Sequence, residues 1–254
     1  MTAAAGDARV AVVTGGGAGI GRAISGRLAR DGFKVAILDI ADGAAEQAAK
    51  SIDSAGGVAC GYQADVSDRE QVDAALTAAR SDLGPLAVVV ANAAVARLQP
   101  FLSMTLHQWN STLAVNLTGT FNVVQSALPD LVEAGWGRVV LISSSSAQRG
   151  APRMAHYAAS KGGQLALTKA LAVEFAKSGV TVNTVAPSAV DTPSVQRKRD
   201  AGTMPSAAEM AKNVPVGRMG TGDDIAGAVA YLVSDEASYV TGQTISVNGG
   251  AFIG

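Results

Sequence analysis

The sequence is poor in cysteine, histidine and aromatic residues, and each scarcity excludes a class of site or fold. Its one cysteine, Cys60, cannot form an internal disulfide or a zinc site of several thiolates, so we assign it a structural role. His107 and His156 have no partner at the spacing of a metal site or a catalytic triad, and we expect both to be structural. Aromatic residues make up only 4% of the chain, which favours small residues packed closely between helices and a sheet.

Neither an excess of positive charge nor a long apolar run is present. A net charge of -1 gives no basic field, so neither nucleic acid nor a membrane surface is expected as a partner. No run of about 20 uncharged apolar residues occurs, and Met1 to Arg9 lacks the apolar segment of a secretion signal. We therefore expect a cytoplasmic protein.

Short β-branched runs alternate with longer stretches of helical periodicity along the chain. The runs are apolar throughout, as expected for parallel strands covered by helices on both faces. Seven strands are predicted: Val10 to Thr14, Lys34 to Asp39, Val58 to Ala64, Ala87 to Ala91, Arg138 to Ser143, Thr181 to Ala186 and Thr244 to Val247. The pattern indicates an α/β fold in which a single Rossmann-type domain spans residues 1–254, with a doubly wound parallel sheet and ligands beyond the carboxyl ends of its strands.

Two connecting segments carry specific predictions. Ser67 and Glu70 have the spacing of a capping box at the start of a helix. Residues 188–216 hold three prolines and a basic cluster at 197–199, without a strand signal. A segment of this length at a strand end is typical of a substrate lid or of a solvated surface loop.

A glycine-rich loop joins the first predicted strand to an amphipathic helix, in the order Thr14-Gly15-Gly16-Gly17-Ala18-Gly19-Ile20-Gly21. Glycine lets backbone N–H groups approach a diphosphate closely, and the helix N-terminus directs about half a positive charge at that anion. An isolated glycine-rich turn is as often a simple tight turn. The strand, loop and helix context favours dinucleotide binding.

Asp39 ends the second predicted strand, eighteen residues after Gly21, where a carboxylate can accept hydrogen bonds from the hydroxyls of an adenosine ribose. The same charge repels the 2′-phosphate of NADP, and no arginine or lysine in the loop or directly after Asp39 neutralises that phosphate. The sequence therefore favours NAD over NADP. Asp65 and Val66 follow the third strand, and Asp65 is either an adenine contact or a turn residue.

Tyr157 and Lys161 are four residues apart and so lie on one face of a helix. A phenol has a pKa of about 10, so a neighbouring ammonium is needed if Tyr157 is to exchange protons at neutral pH. Such a pair alone is most often an accident of the helix surface. However, four serines at 143–146 follow the fifth strand at the ligand-binding edge of the sheet, where a hydroxyl can bond to a substrate oxygen.

These motifs together resemble those of the short-chain dehydrogenase/reductase family, from Val10 to Gly250. The loop starting at Thr14 matches the family's TGxxxGxG, and Tyr157 with Lys161 matches its YxxxK. Ser144, thirteen residues before Tyr157, matches its catalytic serine.

Further family positions are matched by Asn92, by Asn116, by Pro187 at the end of Asn183-Thr184-Val185-Ala186-Pro187, and by the ending at 239–250. Two positions depart from the family pattern, since Ala94 and Ser188 stand where the family has glycine. A Cβ at each position restricts the backbone angles of its loop without removing a chemical group, so we still expect activity.

The resemblance implies hydride transfer between a nicotinamide and a carbonyl or secondary alcohol, without a metal. It implies that Ser144 bonds to the carbonyl oxygen, that Tyr157 protonates it, and that Lys161 lowers the pKa of Tyr157 and holds the nicotinamide ribose. Asn116 is implied to support a water chain that returns the proton. The implied cofactor site comprises Thr14, Gly15, Gly19, Ile20, Gly21, Asp39, Asp65, Val66, Asn92, Tyr157, Lys161, Pro187, Val190 and Thr192. A homo-tetramer, or failing that a dimer, is implied through long helices at roughly 106–134 and 156–177.

The substrate stays open between two interpretations. The overall pattern is similar to 3-oxoacyl-carrier-protein reductases and acyl-CoA enzymes, and Arg97, Arg153 and the 197–199 cluster either pair with a phosphopantetheine or acidic carrier protein or form a solvated patch. Asp39 argues instead for NAD-dependent oxidation of a hydroxyacyl-CoA, polyol, sugar or steroid alcohol. A non-catalytic dinucleotide sensor is a third possibility, against which the intact serine, tyrosine and lysine argue.

Overall fold

The computed structural model describes residues 8–253, and seven parallel strands form its central sheet. The spatial order is β3-β2-β1-β4-β5-β6-β7, so the winding reverses between β1 and β4. The strands are β1 Val10–Thr14, β2 Lys34–Asp39, β3 Val58–Gln63, β4 Leu86–Ala91, β5 Gly137–Ile142, β6 Val180–Pro187 and β7 Thr244–Val247. The predicted α/β Rossmann-type fold is confirmed, with strand ends within one residue of those expected. The prediction that Met1 to Arg9 lacks a secretion signal concerns a segment that lies almost entirely outside the described residues.

Helices cover both faces of the sheet. They are α1 Gly19–Arg30, α2 Ala44–Asp53, α3 Arg69–Leu83, α4 Leu106–Leu113, α5 Gly119–Glu133, α6 Ser146–Arg149, α7 Ala155–Phe175, α8 Pro193–Asp200, α9 Ala207–Ala211 and α10 Gly222–Val233. Within residues 8–253, no helix is both long enough and apolar enough to cross a bilayer.

Strands β1 to β6 each contribute to two cores because successive side chains point to opposite faces. Val10 and Val12 pack in one core with α3, α5 and α7. Ala11 and Val13 pack in the other with α1, α2 and α10. Because β1 is buried on both faces, its sequence is continuously apolar.

The start of α3 differs from the prediction. Asp68, not Ser67, is the N-cap residue, and its carboxylate accepts the backbone N–H groups of Glu70 and Gln71. The Ser67 hydroxyl donates to Asp65 Oδ1 at 2.7 Å instead. The capping box predicted for Ser67 and Glu70 is therefore wrong, because Asp caps a helix as well as Ser does and lies one residue nearer.

The predicted helix near residues 106–134 is divided by one π-helical turn, Ala114–Thr118, between α4 and α5. A π turn adds a residue to the helix and often marks a functional site. Here it contains Asn116, whose side chain is fully buried. By contrast, α7 runs without interruption through Tyr157 and Lys161.

Candidate active site

A cavity of about 910 Å³ opens at the carboxyl edge of the sheet. It is lined by the glycine loop, by the ends of β2 to β6, by the start of α7 and by residues 187–210. The expected site residues that line it are Gly15, Gly19, Ile20, Asp39, Asp65, Val66, Asn92, Ser144, Tyr157, Lys161, Pro187, Val190 and Thr192. Thr14, Gly21 and Asn116 do not line it and support it from the side of the core.

The glycine loop has the backbone shape of a cradle for an anion. Gly15 and Gly19 have φ angles of 60° and 54°, a region that side chains with a Cβ rarely adopt. A Cβ on Gly17 would lie 2.8 Å from Ala44 Cβ and 2.9 Å from Asp39 Oδ2. These glycines therefore leave room between the loop, α2 and the end of β2.

We expect Gly17→Ala to raise the dissociation constant for dinucleotide about tenfold, because the new methyl group must displace either Asp39 or α2. Gly26→Ala in α1 is the matched control, since its Cβ would meet only Arg30 Nη1 at 3.6 Å. Fluorescence titration with NADH measures both. Equal affinity in the two variants would show that the loop tolerates the methyl group.

Thr14 and Asn92 fix the loop from below. Thr14 Oγ1 accepts the backbone N–H groups of Asn92 and Ala93, each at 3.0 Å. The Asn92 side-chain amide donates to the carbonyl oxygens of Thr14 and Gly15 at 2.9 and 3.2 Å. The side-chain NH2 of Asn92 is therefore used to hold the loop.

Two carboxylates line the part of the cavity at the ends of β2 and β3. Asp39 Oδ2 accepts the N–H of Gly17 at 2.9 Å, and Oδ1 accepts the N–H of Ala41 at 3.0 Å. Each oxygen retains a lone pair for a further donor. Asp65 uses Oδ1 to hold the Ser67 backbone N–H and hydroxyl, so it has the turn role and still lines the cavity.

Ser144 and Tyr157 place two hydroxyls together across the cavity from these carboxylates. A hydrogen bond from Ser144 lowers the pKa of the Tyr157 phenol, but burial raises it by more. The net direction is upward. The Lys161 Nζ lies 5.9 Å from the centre of the Tyr157 ring, and burial lowers the pKa of the Lys161 ammonium to about 7.

Lys161 is almost fully buried, and its Nζ donates to the carbonyl oxygen of Ile142 at 2.6 Å and to Gln164 Oε1 at 3.1 Å. Neither acceptor was predicted from the sequence. A backbone carbonyl leaves no side-chain signal in a sequence. Gln164 lies one helical turn after Lys161. This spacing predicts a hydrogen bond between the two side chains only when both are known to be buried.

Asn116 has a structural role in this arrangement. Its Oδ1 accepts the Val95 N–H at 2.8 Å, and its Nδ2 donates to Val95 O and Ser160 Oγ, each at 3.0 Å. These bonds tie the loop after β4 to α7. Helix α7, which carries Tyr157 and Lys161, is therefore held beside the cavity by the π turn.

The basic residues noted in the sequence separate into two groups. Arg97, Arg197 and Lys198 line the cavity. Arg199 instead pairs with Asp191 at 2.9 Å, and Arg153 is exposed with a left-handed φ of 63°. Three cations at the mouth are therefore available to an anionic part of a ligand.

The cavity suits a nicotinamide dinucleotide. The open glycine cradle matches a diphosphate, the Asp39 carboxylate matches ribose hydroxyls, and the hydroxyl pair stands at the far end with the buried lysine. All three features lie in one cavity in the order that an extended two-nucleotide cofactor requires.

Comparison with known proteins decides the family. A short-chain dehydrogenase/reductase model described as enoyl-(acyl carrier protein) reductase matches residues 15–251. The chain belongs to the short-chain dehydrogenase/reductase family. It is therefore an oxidoreductase that acts on a carbonyl or alcohol group.

Relatives match over nearly their whole lengths. An acetoacetyl-CoA reductase of Shinella zoogloeoides is 40% identical over 96% of this chain and 98% of its own. A 2-(S)-hydroxypropyl-CoM dehydrogenase 3 of Xanthobacter autotrophicus is 39% identical over 95% of each chain. A 3-oxoacyl-[acyl-carrier-protein] reductase of Staphylococcus aureus is 37% identical over 96% of this chain and 98% of its own.

A solved member of the family has the same architecture. The crystal structure of a single-substitution variant of actinorhodin polyketide ketoreductase with NADPH superposes with a TM-score of 0.92 at 33% identity. It covers 96% of this chain and 97% of its own. The family membership predicted from the TGxxxGxG and YxxxK motifs of this short-chain dehydrogenase/reductase is thus confirmed.

Proposed function

We propose that this protein reduces 3-oxoacyl thioesters to 3-hydroxyacyl thioesters with NADH, and catalyses the reverse oxidation with NAD. The observation that carries the proposal is one cavity that joins Asp39 and the glycine cradle to the Ser144–Tyr157 hydroxyl pair. The cations at its mouth support an anionic acyl carrier as the remainder of the substrate.

The reaction assigns a task to each side chain at the hydroxyl pair. A bound nicotinamide supplies or accepts the hydride. The carbonyl oxygen of the substrate accepts hydrogen bonds from the Ser144 and Tyr157 hydroxyls, and the Tyr157 proton passes to that oxygen as the carbonyl carbon becomes a secondary alcohol. The Lys161 ammonium stabilises the phenolate left behind.

The preference for NAD rests on Asp39. Its two oxygens suit two ribose hydroxyls and repel a 2′-phosphate. On the same side of the cavity the lining residues include Asp65 and Ile40 but no cation, among the residues that the structure describes. The ketoreductase solved with NADPH is 33% identical, so a different preference is compatible with the common fold.

The thioester proposal draws on the relatives and on the segment 188–216. Two relatives are named as reductases of acetoacetyl-CoA and of 3-oxoacyl-[acyl-carrier-protein]. The segment supplies Arg197 and Lys198 to the cavity together with the apolar side chains of Met204 and Met210. We propose that it acts as a lid within one domain of residues 1–254, with charge for the carrier and apolar surface for the acyl chain.

The test is NADH consumption with acetoacetyl-CoA, run in parallel with NADPH and with acetoacetate, which lacks the carrier. We expect the highest kcat/KM with acetoacetyl-CoA and NADH. A greater kcat/KM for acetoacetate would overturn the role of the carrier. A greater kcat/KM with NADPH would overturn the cofactor preference.

A second candidate is oxidation of a small secondary alcohol. It is favoured by the relative named 2-(S)-hydroxypropyl-CoM dehydrogenase 3 together with the NAD preference inferred from Asp39. A panel of secondary alcohols, including polyols, sugar alcohols and steroid alcohols, assayed with NAD decides between the two. This candidate replaces the first if an alcohol outside the acyl thioesters gives the highest kcat/KM.

We also propose that the protein is a homo-oligomer, expected to be a tetramer, that pairs α5 and α7 between copies. A groove of about 470 Å³ crosses these helices and is almost wholly apolar; its lining residues are Leu117, Thr118, Phe121, Gly163, Ala166, Leu167 and Ala170. Small residues on α7 leave room for the side chains of a second copy, and Phe121 is 44% exposed without one.

We expect Phe121→Glu to break this assembly, because it would place a carboxylate in an apolar interface. Light scattering should then give a smaller mass than the unmodified protein gives, down to the 25.4 kDa of one chain if the α5 and α7 pairing is the sole interface. Val58→Glu on the edge strand β3 is the control, since Val58 is 50% exposed far from the groove. A Phe121→Glu protein of unchanged mass would exclude this interface.

A further inference from the structure

A chain of buried polar groups extends from Lys161 into the core. Gln164, one turn later on α7, is fully buried and accepts the lysine ammonium at Oε1. Its Nε2 donates to the backbone carbonyl of Asn116 at 2.9 Å and to Thr120 Oγ1 at 2.7 Å. Gln164 thus links the lysine of the site to the π turn.

The direction of the Gln164 amide follows from its partners. The Thr120 hydroxyl donates its hydrogen to Asn116 O at 2.8 Å, so it can only accept from Gln164. The NH2 group of Gln164 must therefore face Thr120 and the Asn116 carbonyl. The carbonyl oxygen of the amide is left to face Lys161.

Among residues 8–253, the Lys161 ammonium is held by neutral acceptors alone. It has three donors, of which Ile142 O and Gln164 Oε1 take two, leaving one for the cavity. Tyr157 is the titratable group that faces it on α7. In the described chain, β5, the π turn and α5 contribute carbonyls, amides and hydroxyls near it, and burial is the one cause that lowers its pKa.

We propose that Gln164 is a positioning residue that keeps the Lys161 ammonium charged and directs its free donor into the cavity. The family resemblance implied a water chain at Asn116, but here the Asn116 carbonyl already accepts the Thr120 hydroxyl and the Gln164 amide. A side-chain amide stabilises charge without titrating and does not exchange with solvent as water does. The catalytic consequence rests on the proposed function of Lys161.

The test compares Gln164→Met, which removes the acceptor at similar volume, with Gln164→Glu, which makes it anionic. The titration of Lys161 is followed in the unliganded protein by NMR of ¹³Cε-labelled lysine, with Lys161→Met assigning the signal. Thr168→Val is the control, because Thr168 is buried on α7 and bonds to Gln164 O and Thr184 without reaching the ammonium.

We expect the Lys161 midpoint to lie about one pH unit lower in Gln164→Met, because an acceptor favours the charged form. It should rise in Gln164→Glu and stay unchanged in Thr168→Val. The decline of kcat for carbonyl reduction at high pH should move in the same directions. If Gln164→Met does not fold, the rise in Gln164→Glu decides.

Unchanged midpoints in folded Gln164 variants would overturn the proposal. Equal shifts in Thr168→Val would also overturn it, since they would reflect general loosening of the helix. An unmodified protein that reduces no carbonyl would refute the proposed function, while the lysine titration would still decide the part that concerns Gln164.

Discussion

Replacing Tyr157 by Phe should lower kcat about 1,000-fold and leave the dissociation constant for NADH within about twofold of its original value. The change removes the hydroxyl beside Ser144 and retains the ring on α7. Hydride transfer without a proton donor leaves an alkoxide in a poorly solvated cavity, and this raises the barrier of the chemical step alone. Stopped-flow reduction of acetoacetyl-CoA and fluorescence titration with NADH measure the two quantities.

Tyr62→Phe provides the matched control for this prediction. Tyr62 lies on β3, and its hydroxyl donates to Asp82 at 2.8 Å. Neither residue lines the cavity. Its loss should leave kcat close to that of the unmodified protein. A Tyr157→Phe protein that turns over as fast as Tyr62→Phe would rule out Tyr157 as the proton donor.

Replacing Asp39 by Ser should change cofactor preference by about 100-fold, measured as the ratio of kcat/KM for NADPH to that for NADH. Loss of a carboxylate that accepts ribose hydroxyls weakens NADH binding about tenfold. Removal of like-charge repulsion at the 2′-phosphate strengthens NADPH binding by a comparable factor. Steady-state kinetics with both cofactors give the ratio.

Asp42→Ser is the control for this prediction, because Asp42 is an exposed carboxylate three residues later that does not line the cavity. It should leave the ratio unchanged. Because Asp39 also holds the N–H groups of Gly17 and Ala41, thermal denaturation must show that Asp39→Ser is folded. A folded Asp39→Ser protein with the original ratio would refute the proposed cofactor preference.

The fold was predictable because its signals are local and repeated. A strand such as Val10–Thr14 is buried on both faces and therefore apolar at every position. The glycine loop follows that strand directly, and its location at the cavity follows from the parallel winding. Errors arose where two residues compete for one task, as when Asp68 instead of Ser67 caps α3.

The sequence predicted which residues form the site better than it predicted the contacts among them. The spacing of Tyr157 and Lys161 places both at the cavity, as expected. No local pattern indicated the burial that lowers the pKa of Lys161 to about 7 or the π turn around Asn116. Gln164 was not identified because its role depends on contacts between α7, β5 and the π turn.

The central claim is that a nicotinamide cofactor bound in this cavity transfers hydride to the carbonyl carbon of a substrate. It is tested most directly with NADH that carries deuterium at the transferred position of C4 and acetoacetyl-CoA, followed by mass spectrometry of the product. The account predicts 3-hydroxybutyryl-CoA with one deuterium at C3 in the unmodified protein, and almost none of this product from Tyr157→Phe in the same time. Product without deuterium, or NADH that binds and is never oxidised, would contradict it.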